Sequence, residues 1–74
     1  MADKIDYIEV AIEIAGTASA VARDLGVSRQ AIHRWRRQGF VPAVRARQME
    51  TLYKVPFAKL LSPTLRRKLL DMAS

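Results

Sequence analysis

The apolar residues of this chain recur at helical spacing, and no stretch alternates cleanly with the period of two that a half-buried strand requires. Near the start of the chain, Ile5, Ile8, Ile12 and Ala15 fall on one face of a helix. Pro56 interrupts the most strand-like run, because proline cannot donate to a strand ladder. The pattern therefore predicts an all-α fold.

Small and polar residues mark the ends of the predicted helices. Three glycines suit the position after a helix, where a positive φ is needed: Gly16, Gly26 and Gly39. Three hydroxyl residues suit the N-cap: Thr17, Ser28 and Ser62. Three prolines suit the first turn: Pro42, Pro56 and Pro63. These signals predict a five-helix bundle over about 4–15, 18–25, 29–38, 42–54 and a last helical region, 56–73, with a short helix at 56–61 and another from Pro63.

The second, third and fourth predicted helices each have a set of apolar residues expected to face the core. In the second and third helices these are Val21, Ala22, Leu25, Ile32 and Trp35. In the fourth they are Val44, Met49, Leu52 and Tyr53. Leu65, Leu69 and Met72 form the apolar stripe of the last helix. The segment after residue 50 has more apolar side chains than it can bury within itself.

The charge of the chain is concentrated in its middle third. The 74 residues form one domain, 1–74, with a formal net charge of +6 and no cysteine, which excludes disulfides and a cysteine-based zinc site. Residues 23–47 contain seven arginines and one aspartate, a net charge of +6, whereas residues 1–22 have a net charge of −3. A concentrated positive field of this kind attracts nucleic acid before other partners.

Several classes of function find no support in the sequence. No segment approaches the roughly 18 apolar residues of a membrane span, and no secretory signal is evident, so we expect a cytoplasmic protein without a membrane partner. His33 is the only histidine, and no nucleophile or carboxylate cluster accompanies it. We therefore expect no enzyme activity, no metal, no cofactor and no small-molecule ligand.

Residues 18–37, A-S-A-V-A-R-D-L-G-V-S-R-Q-A-I-H-R-W-R-R, fit a helix-turn-helix. Ala22 is small where the second helix of the motif crosses the first, and Gly26 permits a left-handed turn. Leu25, Val27, Ile32 and Trp35 can hold the two helices together, at a spacing that few unrelated sequences satisfy.

With Ile32 and Trp35 turned inward, the opposite face of the third helix presents five polar or basic residues: Arg29, Gln30, His33, Arg34 and Arg37. Recognition helices address base edges with their N-terminal residues, so Arg29 can pair with guanine and Gln30 with adenine. Arg34, one turn later, can reach a base or a phosphate. His33 suits a hydrogen bond to DNA, and Arg37 lies where the phosphate backbone is nearer than the bases.

Two arginines of the next helix, Arg45 and Arg47, add charge toward the DNA backbone, or one of them pairs with Glu50 instead. The lysines and arginines further along form an ordinary solvated face.

The helix-turn-helix stretch, followed by G-F-V-P-A-V-R-A-R-Q-M-E at 39–50, resembles the phage Cro and lambda-type repressor superfamily, including small Cro-like proteins and YdaS-type antitoxins. The resemblance covers about residues 5–55. It implies a transcriptional regulator acting at a phage or prophage operator, with base contacts from the same face of the third helix and from Ser28. Where such motifs often have glutamine, this chain has Ala18, so the phosphate contact made there passes to Thr17 or Ser19.

The sequence therefore predicts a Cro-type repressor that binds a palindromic double-stranded DNA operator as a homodimer, with residues 56–73 supplying part of the subunit contact. The alternative is an antitoxin-like or adaptor helix-turn-helix protein whose main partner is another protein, which predicts an apolar exposed third helix. A DNA-bending protein would need a wing or apolar wedge, and an RNA-binding protein an aromatic platform. The sequence shows none of these features clearly.

Overall fold

The computed structural model describes residues 5–73, and side chains as far as residue 72. This part of the chain contains six helices and no strand. The helices are α1 (Tyr7–Ala15), α2 (Ala18–Leu25), α3 (Arg29–Gln38), α4 (Ala43–Tyr53), α5 (Phe57–Leu60) and α6 (Pro63–Ala73). None of the helices within these residues is long and apolar enough to cross a membrane. The all-α prediction is confirmed.

Helix α1 begins after Asp6, whose carboxylate accepts hydrogen bonds from the backbone N–H groups of Ile8, at 3.0 Å, and Glu9, at 3.4 Å. The cap places Ile5 outside the helix, where its side chain is exposed. The prediction that Ile5 lies on one face of this helix is therefore wrong, and the predicted start near residue 4 is too early. Ile8 and Ala11 form the buried side of α1.

The predicted bounds of α2 and α3 are confirmed. Thr17 Oγ1 accepts from Ala20 N at 3.0 Å and Ser28 Oγ accepts from Ala31 N at 3.2 Å, so each helix starts at a hydroxyl cap. Between the helices, Gly26 adopts the left-handed conformation, with φ of 74° and ψ of 33°. This turn reverses the chain in few residues and lets α3 lie across α2.

The core forms where α1, α2, α3, α4 and α5 meet. The five residues predicted for the inner faces of α2 and α3 are all buried: Val21, Ala22, Leu25, Ile32 and Trp35. Val41, between α3 and α4, is also buried, and its N–H donates to Leu60 O at 2.8 Å. That bond ties the segment following α3 to the end of α5.

Helix α4 buries a different set of side chains from the predicted one. Met49 and Tyr53 are buried as expected, together with Ala46. Val44 and Leu52 are 71% and 50% exposed, so their predicted inward orientation is wrong. The buried residues follow one another at i, i+3 and i+7, and this spacing turns Val44 and Leu52 to the outer side of the helix.

The last helical region is divided into two helices at Leu61, where the backbone is extended, with φ of −80° and ψ of 158°. Pro63 disfavours a helical conformation at the residue before it, and Ser62 Oγ accepts from Leu65 N at 3.3 Å. The break at this point was predicted, but the total of five helices is wrong, because residues 5–73 contain six separate ones.

Helix α6 buries no side chain among residues 63–72. Its predicted apolar stripe, Leu65, Leu69 and Met72, is exposed. The helix is attached by Arg66, whose guanidinium donates to Ala58 O at 3.1 Å and Leu61 O at 3.3 Å. By contrast, Leu60 and Leu61 of the same region are buried in the core.

Replacing Gly26 tests whether the left-handed turn supports the fold. A Cβ at this position would meet no atom within 4 Å, so Gly26→Ala adds conformational strain without a clash. We expect Gly26→Ala to lower the free energy of unfolding by about 1 kcal/mol. Gly26→Asn should cost less, because asparagine tolerates the left-handed region better. Urea denaturation measures both, and an asparagine variant no more stable than the alanine variant would contradict this explanation.

Candidate nucleic-acid interface

The orientation of α3 follows from its two buried residues. Ile32 and Trp35 are 1% and 4% exposed and belong to the core, so the other side of the helix faces outward. Ser28 caps the start of α3, and the N–H of Gly39 donates to Trp35 O at 2.8 Å at its end. Both ends of the helix are therefore fixed by local hydrogen bonds.

The outward side of α3 has the composition predicted for it. All five residues expected there are exposed: Arg29, Gln30, His33, Arg34 and Arg37. Helix α3 contains no acidic residue. Among residues 5–73, none of the five forms an ion pair or a side-chain hydrogen bond with the protein itself. Their polar groups are therefore available to a ligand.

Most of the other arginines are engaged within the protein. Arg36, on the edge of α3, donates from Nε to Glu9 Oε2 at 2.6 Å. Arg66 is bound to backbone carbonyls, and Arg23 Nε lies 4.0 Å from Asp24 Oδ1. The arginine-rich middle third is therefore divided between cations that hold the fold and cations that are free to bind.

Arg45 is one of the arginines engaged within the protein. Its side chain donates to Leu25 O at 3.0 Å and to Gln48 Oε1 at 2.8 Å, and the residue is half-buried. The Leu25 carbonyl lies at the C-terminal end of α2, where a cation is favoured by the helix dipole. Arg45 thus joins α4 to the turn between α2 and α3, and a contact from Arg45 to DNA remains a prediction.

Arg47 pairs with Glu50, which was one of the alternatives left open by the sequence. Arg47 donates to Glu50 Oε1 at 2.8 Å, and its guanidinium carbon lies 3.8 Å from the centre of the Phe57 ring. The second contact is a cation–π interaction that connects α4 to α5.

The hydroxyl residues predicted to contact DNA lie at helix starts. Thr17 and Ser28 are exposed, and each uses its oxygen as the acceptor in an N-cap. A hydroxyl that accepts one hydrogen bond can still donate its own hydrogen. Ser19 is exposed in the first turn of α2. All three can donate to an acceptor such as a phosphate oxygen.

The only acidic residue between positions 14 and 49, Asp24, is held by a tyrosine. Tyr53 donates its hydroxyl to Asp24 Oδ2 at 2.8 Å, joining α4 to α2. Burial, the hydrogen bond to Asp24 and the charge of Asp24 together raise the pKa of Tyr53 well above its usual value. Nothing in the local sequence signals this contact, because the two residues are 29 positions apart.

An open, mostly apolar groove lies at the surface formed by α2 and α4. The end of α2 and the outer face of α4 form it, and it is lined by Asp24, Val44, Arg47, Gln48, Thr51 and Leu52. No residue of α3 lines this groove. In the described part of the chain, no three residues among His, Cys, Asp and Glu are grouped to hold a metal ion.

A family model described as "Bacterial toxin YdaS" matches residues 8–59, which is more than half of the chain. The chain belongs to the YdaS family. The match extends from α1 into α5, so it includes the predicted helix-turn-helix and every predicted DNA-contacting residue, and it leaves α6 outside. No curated protein and no solved structure matches the chain significantly.

The family assignment confirms the predicted resemblance to YdaS-type proteins. The family is described as a toxin, whereas the sequence resemblance was to YdaS-type antitoxins. The match is to this small helix-turn-helix-like family and does not reach the wider Cro and lambda repressor superfamily.

Substituting Arg45 tests its structural role in this YdaS-family chain. Arg45→Met keeps much of the length of the side chain but removes the donors to Leu25 O and Gln48. We expect the free energy of unfolding to fall by about 1–2 kcal/mol. Arg37→Met, at an exposed site without a protein partner, should change it by less than about 0.5 kcal/mol. Urea denaturation measures the free energy of unfolding of both variants. Equal values for the two would show that Arg45 does not support the turn.

Proposed function

We propose that this chain is a sequence-specific DNA-binding transcriptional regulator, a Cro-type repressor that inserts α3 into the major groove of its operator. The observation that carries the proposal is the outer face of α3. Arg29, Arg34 and Arg37 are exposed there without an ion pair to any residue in 5–73, and α3 has no acidic residue to repel phosphate.

The dimensions of the motif support this mode of binding. Helix α3 has 10 residues and is therefore about 15 Å long. A helix with its side chains is about 10–12 Å across, close to the roughly 12 Å width of the major groove. Helix α2 packs against α3 on its buried side, so it leaves the outer face clear.

The N-terminal part of α3 is assigned to the bases. Arg29 and Gln30 lie in the first turn, where recognition helices meet base edges. A guanidinium matches the two acceptors of guanine, and a glutamine amide matches the donor and acceptor of adenine. Arg34 lies on the same face one turn later, and Ser28 can donate from the N-cap.

The remaining residues of the interface are assigned to the DNA backbone. They are Thr17, Ser19, His33, Arg37 and Arg45. Phosphate contacts fix the register of a protein on the duplex, while the bases supply sequence information. Within this set, Arg45 has to exchange a protein hydrogen bond for a phosphate contact, because it is already bound to Leu25 O. The proposal assigns no catalytic role to any residue.

The operator can be found by selecting bound sequences from a pool of random duplexes. The same experiment tests specificity and symmetry, because a dimer on a two-fold site enriches palindromes. A pool that shows no enrichment, together with no binding to any duplex at low salt, would overturn the proposed function.

Two substitutions distinguish base readout from electrostatic attraction. Arg29→Ala should cost about 1–3 kcal/mol per half-site on the operator and relax preference at one base pair, with a much smaller loss on random DNA. Arg37→Ala should weaken operator and random DNA alike and reduce the slope of log K against log salt by roughly one unit. Both variants are measured by fluorescence anisotropy against the two duplexes across a salt series.

The reverse result would contradict the orientation of α3. If Arg29→Ala weakened both DNAs equally while Arg37→Ala altered base preference, the C-terminal part of α3 would meet the bases. Melting temperatures serve as the control, since both residues are exposed and neither variant should lose stability.

We also propose that two copies bind the operator together and that α6 supplies part of their contact. A single helix-turn-helix reads few base pairs, and two-fold pairing doubles the readout. Leu65, Leu69 and Met72 form an exposed apolar stripe on α6, and burying it against the same stripe of a second copy removes apolar surface from water.

A charge placed in the stripe tests the dimer. Leu69→Asp should abolish cooperative binding to a two-half-site operator and leave affinity for an isolated half-site close to wild type. Thr64→Asp adds the same charge to α6 outside the stripe and should keep cooperativity. Footprinting and the stoichiometry of the complex measure the cooperativity of both variants. One wild-type protein bound per isolated half-site without cooperativity on the full site would refute the dimer.

The alternative function is an adaptor or antitoxin-like protein whose main partner is another protein. It requires an exposed apolar face, and exposed apolar side chains lie on α4, with Val44 and Leu52, and on α6 rather than on α3. This function would be favoured if the chain failed to bind duplex DNA, and if Leu52→Asp, but not Arg29→Ala, abolished its binding to a protein partner.

A further inference from the structure

The ion pair between Glu9 and Arg36 connects α1 to the helix proposed to read DNA. Arg36 Nε lies 2.6 Å from Glu9 Oε2, and a second guanidinium nitrogen donates to Glu9 Oε1 at 3.4 Å. Both side chains are about 40% exposed, so the pair lies at the surface and solvent can reach it. Glu9 thus offers two oxygens to one guanidinium, in the way that a phosphate would.

Arg36 borders the DNA-facing side of α3. It follows Arg29 by seven residues, which is close to two full helical turns, so the two side chains lie along the same edge of the helix. Arg29 is free of protein partners within residues 5–73, whereas Arg36 is held by Glu9. One edge of the interface therefore has one available cation and one neutralised cation.

We propose that Glu9 limits the sequence-independent affinity of this chain for DNA by holding Arg36 in an internal ion pair. This inference rests on the proposed binding of DNA through α3. Glu9 is a positioning residue, since it acts on DNA through Arg36. Each cation that contacts a phosphate releases counterions and strengthens binding to every sequence alike. Holding one such cation back keeps the chain from being retained on unrelated DNA.

The variant Glu9→Gln should bind DNA more tightly by an amount that can be calculated. Removing the carboxylate charge frees Arg36 for a phosphate, which adds one contact. One contact steepens the slope of log K against log salt by about 0.9 and strengthens binding about eightfold at 0.1 M salt. The gain should be equal on operator and random duplex, because a phosphate contact carries no sequence information.

The chain offers a matched control in Glu13. It lies one turn further along α1, is exposed, and has no ion pair within residues 5–73. Glu13→Gln changes the net charge by the same amount without releasing a cation. Any effect of charge at long range therefore appears in both variants, and only the release of Arg36 is specific to Glu9→Gln.

The experiment measures binding of a mixed-sequence duplex of about 20 base pairs by anisotropy from 0.05 to 0.3 M salt. The full chain is used in five forms: wild type, Glu9→Gln, Glu13→Gln, Arg36→Gln and Glu9→Gln with Arg36→Gln. We expect Glu9→Gln alone to bind more tightly with a steeper slope. The double variant should lose that gain, and Arg36→Gln should bind nearly as wild type does.

The outcomes separate this inference from the proposed function. A wild-type chain that binds no duplex overturns both. A wild-type chain that binds, with Glu9→Gln equal to Glu13→Gln, overturns only the role of Glu9. A gain that survives in the double variant also overturns it, because the gain would not pass through Arg36.

Thermal melting shows whether each variant is folded. If Glu9→Gln does not fold, Arg36→Gln decides the question by comparison with Arg37→Gln. A loss of affinity on Arg36→Gln as large as that on Arg37→Gln would show that Arg36 already contacts DNA and that Glu9 does not withhold it. Near wild-type binding by Arg36→Gln would support the inference.

Discussion

The burial of Ile32 and Trp35 is the constraint on which the rest of the structure depends. A helix of ten residues is marginal by itself in water, so α3 is stable because this pair is packed among α1, α2 and the neighbouring core. Truncating either side chain of such a pair typically costs several kcal/mol, about 3–5 for an aromatic. Since the helix has a fixed period, burying these two residues also decides which side chains face outward. The chemistry of the exposed face is thus a consequence of core packing.

Local signals made the first half of the fold predictable. The caps at Thr17 and Ser28 and the left-handed turn at Gly26 involve residues within a few positions of each other, so the sequence displays them directly. The apolar spacing in α2 and α3 is likewise unambiguous, because polar residues fill the other face. The five polar or basic residues on the outward side of α3 could therefore be predicted from the sequence alone.

The predictions failed where the sequence allows two answers. Helix α4 has apolar residues on both sides, and periodicity alone does not tell which side is buried; Ala46 is preferred to Val44 and Leu52. The ion pair of Glu9 with Arg36 spans 27 residues, and the contact of Arg45 with Leu25 spans 20. Such pairings depend on how helices cross, which no local pattern encodes. For that reason the arginines can be counted from the sequence, but those with a partner within the protein cannot be distinguished from those without one.

The weak attachment of α6 affects how the molecule unfolds locally. This helix buries no side chain among residues 63–72 and is fastened by the hydrogen bonds of Arg66 to three carbonyls. Eleven residues with so little packing unfold locally at a smaller free energy than the core. Covering the stripe of Leu65, Leu69 and Met72 with a second copy adds the missing packing, and by mass action such a partner stabilises the helical state as concentration rises. In the proposed dimer, the order of α6 and the association of two chains are a single linked equilibrium.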